Sequence, residues 1–185
     1  MALGLVNTGV VNEQEAVQAL LLDKLESVSE DSLKMGALMG LSFTYAGSAK
    51  AELLDAISPI ILDSSNTTQL QAVAALSIGL IYCGTCDEDA AQSILQTLME
   101  KESDDLDNPF MRIFALGLGL LFLGQQSAAE PSMEVCKLIP NEQTAAFCEL
   151  VVETCAFAGS GNVLKVQRML HLCAEHKEDE KESIH

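Results

Sequence analysis

The 185 residues contain no tryptophan, and aromatic residues make up only 4% of the chain. That is too few large rings for a typical sandwich or barrel core, and it suits helices packed through alanine, leucine, glycine and methionine. No stretch alternates apolar and polar residues long enough to suggest a sheet. Basic residues are also scarce. Ten Lys and Arg stand against 27 Asp and Glu, a formal net charge of −17. Such a field repels phosphate backbones and anionic lipid surfaces, so neither nucleic acid nor a membrane surface is expected as a partner, whereas a basic protein is attracted. The longest apolar run, "FALGLGLLFLG" at residues 114–124, is shorter than the ~20 residues a membrane-spanning helix needs. What the chain does have is 49% apolar residues, enough for one substantial core.

Six cysteines lie at 83, 86, 136, 148, 155 and 173, mostly within apolar runs. That distribution fits reduced, buried thiols. Cys83 and Cys86 form a C-x-x-C, which raises the question of a redox or metal site.

An internal repeat answers it. Five segments align on one glycine: Gly9, Gly47, Gly84, Gly124 and Gly159, spaced by 38, 37, 40 and 35 residues. Five positions before each anchor stands a small residue: Gly4, Ser42, Gly79, Gly119 and Thr154. Each anchor follows a segment that is apolar on nearly all sides and precedes a polar turn, then a segment with one apolar face. This predicts a two-helix repeat, with a buried inner helix, a covering amphipathic outer helix, and the glycine in the left-handed position that ends the inner one. Inner helices are expected near 33–46, 69–83, 109–123 and 143–158. Outer helices are expected near 13–26, 50–62, 87–101, 127–138 and 162–175. Thr85-x-x-Glu88 reads as a capping box, Asn108-Pro109 as a cap before a first-turn proline, and Asn141 and Asn162 as further caps.

The fold class is therefore all-α, an α-solenoid of about five helix-turn-helix repeats whose first is expected to begin before Met1. Residues 1–175 form the repeat segment. Residues 176–185, which open on a run of charge, read as an acidic, disordered tail.

In this alignment Cys83 occupies the slot of Thr8, Ala46, Leu123 and Ala158, and Cys86 that of Val11, Ala49, Gln126 and Gly161. Small or apolar residues fill the same positions elsewhere, so packing is the expected role. A thioredoxin-type motif needs a βαβ context. A second zinc-ligand pair is offered only by His171, Cys173 and His176, far away in sequence. "GSGN" at 159–162 lacks the lysine and the preceding strand of a phosphate loop and coincides with a repeat turn. Asp104, Asp105 and Asp107 read as a solvated loop. No cofactor or metal is expected, and no catalytic residue is assigned.

Several stretches are more specific than the repeat class: "GTCDEDAAQSILQTLMEK" (84–101), "LKMGALMGLSFTYAG" (33–47), "LGLGLLFLG" (116–124) and "FAGSGNVLKVQRMLHLC" (157–173). On these the chain resembles the proteasome/cyclosome-repeat family, the large scaffold subunits of the proteasome regulatory particle, over residues 1 to 175. The resemblance implies a curved segment of a toroid acting as a docking platform rather than an enzyme. It implies residence in cytoplasm and nucleus as part of the proteasome. The implied partners are ubiquitin chains, the ubiquitin-like domains of shuttle factors, and other proteasome base subunits including the ATPases. The family's acidic binding positions match Asp89 and Glu100. A third, acidic in some relatives, is Gln96 here, which removes one charge.

Helical periodicity gives its own account of the same surface. Ala91, Ile94, Leu95 and Leu98 gather on one side and should face inward. Asp89, Ser93, Gln96 and Glu100 stack on the other, with Gln92 and Met99 at its edge. The preceding outer helix should pack Leu53, Leu54, Ile57 and Ile61 and expose Glu52, Asp55 and Ala56. The following one adds Glu130 and Glu134 beside Pro131. The candidate ubiquitin-binding set is thus Asp89, Gln92, Ser93, Gln96, Met99, Glu100, Glu52, Asp55 and Ala56. Two other readings stay open: a purely architectural segment without ligand binding, and a redox module built on Cys83 and Cys86.

Overall fold

The computed structural model describes residues 1–9 and 16–174, and the expected tail at 176–185 lies outside them. Among the described residues every regular element is helical: α1 (Ala2–Val6), α2 (Ala16–Ser27), α3 (Asp31–Thr44), α4 (Ala51–Leu62), α5 (Thr68–Ile81), α6 (Glu88–Glu100), α7 (Ser103–Leu106), α8 (Met111–Leu121), a 3-10 turn (Gln126–Ala129), α9 (Glu130–Cys136), α10 (Glu142–Ala156) and α11 (Val163–Ala174). Inner helices α1, α3, α5, α8 and α10 pack in series, and outer helices α2, α4, α6 and α9 cover them.

Two devices make the inner layer continuous. The first is close backbone approach. A Cβ placed on Gly79 would fall on the carbonyl of Gly117, and one on Gly117 would lie 2.5 Å from the carbonyl oxygen of Ala75. Neighbouring inner helices therefore touch main chain to main chain, which only glycine permits here. The second is a hydrogen bond between repeats. The anchor glycines all have positive φ, from 70° at Gly9 to 75° at Gly124. The N–H groups of Gly47, Gly84 and Gly124 donate to the carbonyls of Leu80, Leu120 and Cys155 at 2.9, 2.9 and 3.0 Å. Those carbonyls belong to the last turn of the next inner helix, where Leu120 and Cys155 otherwise accept only a tight-turn bond, from Leu123 N and Ala158 N at 3.2 Å. Each turn thus caps its neighbour. Two residues on, Ala49, Cys86 and Gln126 are also left-handed, at φ 50°, 56° and 51°. The N–H groups of Ala49 and Cys86 donate to Ile81 and Leu121. This conformation costs a non-glycine residue about 1–2 kcal/mol, and the second inter-repeat bond offsets it.

The structure corrects several local expectations. The cap of α6 is Asp87, whose Oδ1 accepts from Ala90 N at 2.9 Å. Thr85 instead donates its hydroxyl to the Tyr82 carbonyl at 2.8 Å. Helix α8 starts at Met111 rather than 109, because Asn108 accepts from Phe110 N two residues on and folds a tight turn first. The longest repeat spacing, from Gly84 to Gly124, is taken up by the extra helix α7. The segment expected at 127–138 splits into a 3-10 turn and a short α9 with Pro131 in its first turn. Asn141 and Asn162 accept from Thr144 N and Lys165 N, as caps do.

The last repeat departs from the others. Leu41, Ile78 and Leu118 fill the core position six residues before their anchors and are at most 1% exposed. In the last repeat that position is Glu153, also 1% exposed. Its carboxylate is held by Lys165 and Arg168 of α11. Helix α11 itself buries no residue and exposes Val163, Leu164, Val166 and Leu170.

Candidate functional site: an acidic groove between outer helices

Helix α6 is fixed from beneath by Ala91, Ile94, Leu95 and Leu98, which are 5%, 0%, 7% and 0% exposed. With that stripe facing the core, the opposite face is set by the 100° step between residues. Asp89, Gln92, Met99 and Glu100 are exposed, while Ser93 and Gln96 are half-buried. Helix α4 does the same with Leu53, Ile57 and Ile61, all 0% exposed. Leu54 is partly buried against the core rather than enclosed. Asp55 and Glu52 are exposed, and Ala56 is half-buried instead of open.

Two contacts set the register between the helices. Ser93 Oγ lies 3.4 Å from Ser58 Oγ, and Thr97 Oγ1 donates to the Ile61 carbonyl at 3.3 Å. A shallow groove results, floored by two hydroxyls. Asp55 and Asp89 are both exposed near one end. Their fields meet at Tyr82, whose phenol is pushed up first by burial and then by Asp87, Asp55 and Asp89. At the other end Gln96 Nε2 donates to Glu100 Oε1 at 2.8 Å. Among the described residues no lysine or arginine forms an ion pair with Asp55, Asp89 or Glu100.

The remaining predicted residues do not join this groove. Glu52 turns toward α2, where it accepts from Gln18 Nε2 at 2.8 Å. Gln18 in turn accepts from Lys50 Nζ at 3.0 Å. Gln92 and Met99 lie on the flank of α6 away from Ser93, toward α9. Glu130 and Glu134 are exposed there, and Glu134 is bridged to Lys137 at 2.6 Å. Sequence reasoning missed Ser58 and Leu62 on the groove side of α4. The signal was available, since both share a flank with Leu54 at i+4 and i+8.

The cysteines offer little chemistry. Burial pushes the thiols of Cys83, Cys86 and Cys155 up. Cys136 is pushed up to about 12, and Cys148 rises further, in both cases by burial first. An activated thiol requires the opposite shift. Cys86 packs against the hydrophobic core. Among the described residues, no three of His, Cys, Asp and Glu converge as a metal site needs.

The profile of the proteasome/cyclosome repeat matches residues 73–105, from α5 through α7. Relatives extend the match along the chain. It is 38% identical over 184 residues to the "26S proteasome regulatory subunit rpn-1" of Neurospora crassa, covering 98% of this chain and 20% of the relative. It is 42% identical over 197 residues to the "26S proteasome regulatory subunit rpn1" of Schizosaccharomyces pombe, covering 86% and 22%. It is 36% identical over 179 residues to the "26S proteasome non-ATPase regulatory subunit 2" of Dictyostelium discoideum, covering 97% and 20%. The chain spans about a fifth of the length of these curated relatives. With its five glycine-anchored helical repeats, this chain belongs to the proteasome/cyclosome-repeat family of proteasome regulatory subunits.

Proposed function

We propose that the chain is a non-catalytic scaffold and receptor segment of a proteasome regulatory particle, and that the groove between α4 and α6 binds ubiquitin and the ubiquitin-like domains of shuttle factors. The observation that carries this reading is that Asp55, Asp89 and Glu100 are exposed along one acidic face held rigid from below, and among the described residues none of them is ion-paired. Ubiquitin's receptor-binding face is an apolar patch ringed by basic residues, which complements such a groove. Glu100 adds a second argument. It is the last residue of α6, where the helix dipole disfavours a negative charge by about 0.3–1 kcal/mol. Its placement opposes helix stability and is consistent with selection for binding.

Exposed charge pairs contribute only about 0–1 kcal/mol each. Binding by one groove is therefore modest, fast and salt-sensitive, with charge setting the on-rate. Chains of ubiquitin gain from avidity when neighbouring sites engage together. The same scaffold docks onto other base subunits, the ATPases included, and places the receptor in cytoplasm and nucleus with the proteasome.

Asp89→Arg combined with Glu100→Arg tests the reading. Arginine at the first turn of α6 loses a favourable dipole interaction, and arginine at its last residue gains one, so the two effects on stability oppose each other. Ubiquitin binding should vanish while the melting temperature stays put. Normal binding by the double variant would reject the site. The architectural alternative rests on the bonds between repeats and the glycine contacts, and it predicts no ubiquitin binding by the unaltered chain.

A further inference from the structure

One end of the groove carries a side chain that charge does not explain. Leu62 closes α4 and is 41% exposed. It lies one turn beyond Ser58 on the same flank, level with the α6 segment that carries Gln96 and Glu100. A single exposed leucine is ordinary. The unusual feature is how firmly the helix end presenting it is held. The Ile60 carbonyl accepts from Asn66 Nδ2 at 3.0 Å. The Ile61 carbonyl accepts from Gln71 Nε2 at 2.8 Å and from Thr97 Oγ1 at 3.3 Å. The Asp63 carbonyl accepts from Gln71 Nε2 at 3.0 Å.

Gln71 is the centre of this arrangement. It stands on inner helix α5 and is 1% exposed. Its Oε1 accepts from Lys101 Nζ at 2.7 Å, and Lys101 is the residue that ends α6. One buried amide therefore ties together the C-terminal ends of both helices that line the groove. Helix ends normally fray, and these are locked at a fixed spacing. An apolar side chain carried on a fixed stretch of backbone has less freedom to lose on binding than one on a fraying helix end, which is how preorganised contacts gain affinity.

We infer that Leu62 is the groove's apolar anchor: it meets the apolar patch of the incoming domain while Asp55, Asp89 and Glu100 meet its basic rim. The inference rests on the receptor reading above and names the contact that charge alone leaves out. Gln71 and Lys101 act as positioning residues for that contact.

The test is a titration of the full chain with monomeric ubiquitin at low and high salt, comparing Leu62→Ser with Asp89→Arg/Glu100→Arg. Covering the exposed two-fifths of a leucine is worth about fivefold in Kd. Leu62→Ser should therefore weaken binding by about fivefold. The salt dependence of its binding should match the unaltered chain, since no charge is lost. The charge-reversal variant should abolish binding. If Leu62→Ser binds as the unaltered chain does while charge reversal abolishes binding, the anchor is wrong and the receptor reading stands. If neither variant alters binding, both are overturned.

Discussion

Replacing Gly117 with alanine adds one methyl group where two inner helices meet main chain to main chain. The new Cβ would lie 2.5 Å from the Ala75 carbonyl oxygen and 2.7 Å from its carbon. Ordinary contact requires a shift on the order of 1 Å. Neither atom belongs to a flexible side chain, so α5 and α8 must move apart. That motion also strains the bonds from Gly84 and Cys86 to Leu120 and Leu121. Overpacking of this kind costs about 1–3 kcal/mol, against a helix-propensity gain of about 1 kcal/mol. Gly36 is the control. It lies within α3, and a Cβ there meets nothing within 4 Å. Gly36→Ala should show only the propensity gain, raising the melting temperature by about 2 °C. Gly117→Ala should instead lower it, by up to about 4 °C once the propensity gain is subtracted. Circular dichroism melts of both variants decide the matter. If both melt higher than the unaltered chain, the inner helices are not in backbone contact.

The ion pairs of the last repeat make an asymmetric prediction. Lys165→Ala with Arg168→Ala leaves the Glu153 carboxylate buried and unpaired, and should destabilise by about 3 kcal/mol. Glu153→Leu restores the residue type of the other repeats and frees two half-exposed cations to reach water, so urea melts should show little loss. The thiols predict slow chemistry. Cys83 and Cys86 are pushed up by burial, so their thiolate fraction at neutral pH falls below that of an ordinary cysteine. Alkylation by iodoacetamide, followed by mass spectrometry, should be slower than for free cysteine and should still be accelerating at a pH where free cysteine has levelled off.

The five anchor glycines made the architecture readable before any coordinates. Their spacing, and the small residue five positions earlier, follow from the need to end a helix and to let backbones meet. The partner of each anchor was not readable. That its N–H caps the next inner helix depends on how repeats stack, which no local pattern encodes. The left-handed turns at Ala49, Cys86 and Gln126 were hidden for a related reason. Only Gly161 marks that position with the residue it favours. Asp87 displaced Thr85 as the cap because two competent acceptors stand within three residues and tertiary packing chose between them. In the groove, periodicity found Asp55, Asp89 and Glu100. It could not show that Glu52 turns to Gln18, since that depends on the neighbouring helix.

Chemical-shift mapping of the isotope-labelled chain with unlabelled ubiquitin tests the proposed groove without any variant. Binding there should shift resonances confined to 51–62 and 88–100, and the shifts should fade as salt rises. Shifts gathered on another face, or none at all under low salt, would contradict it.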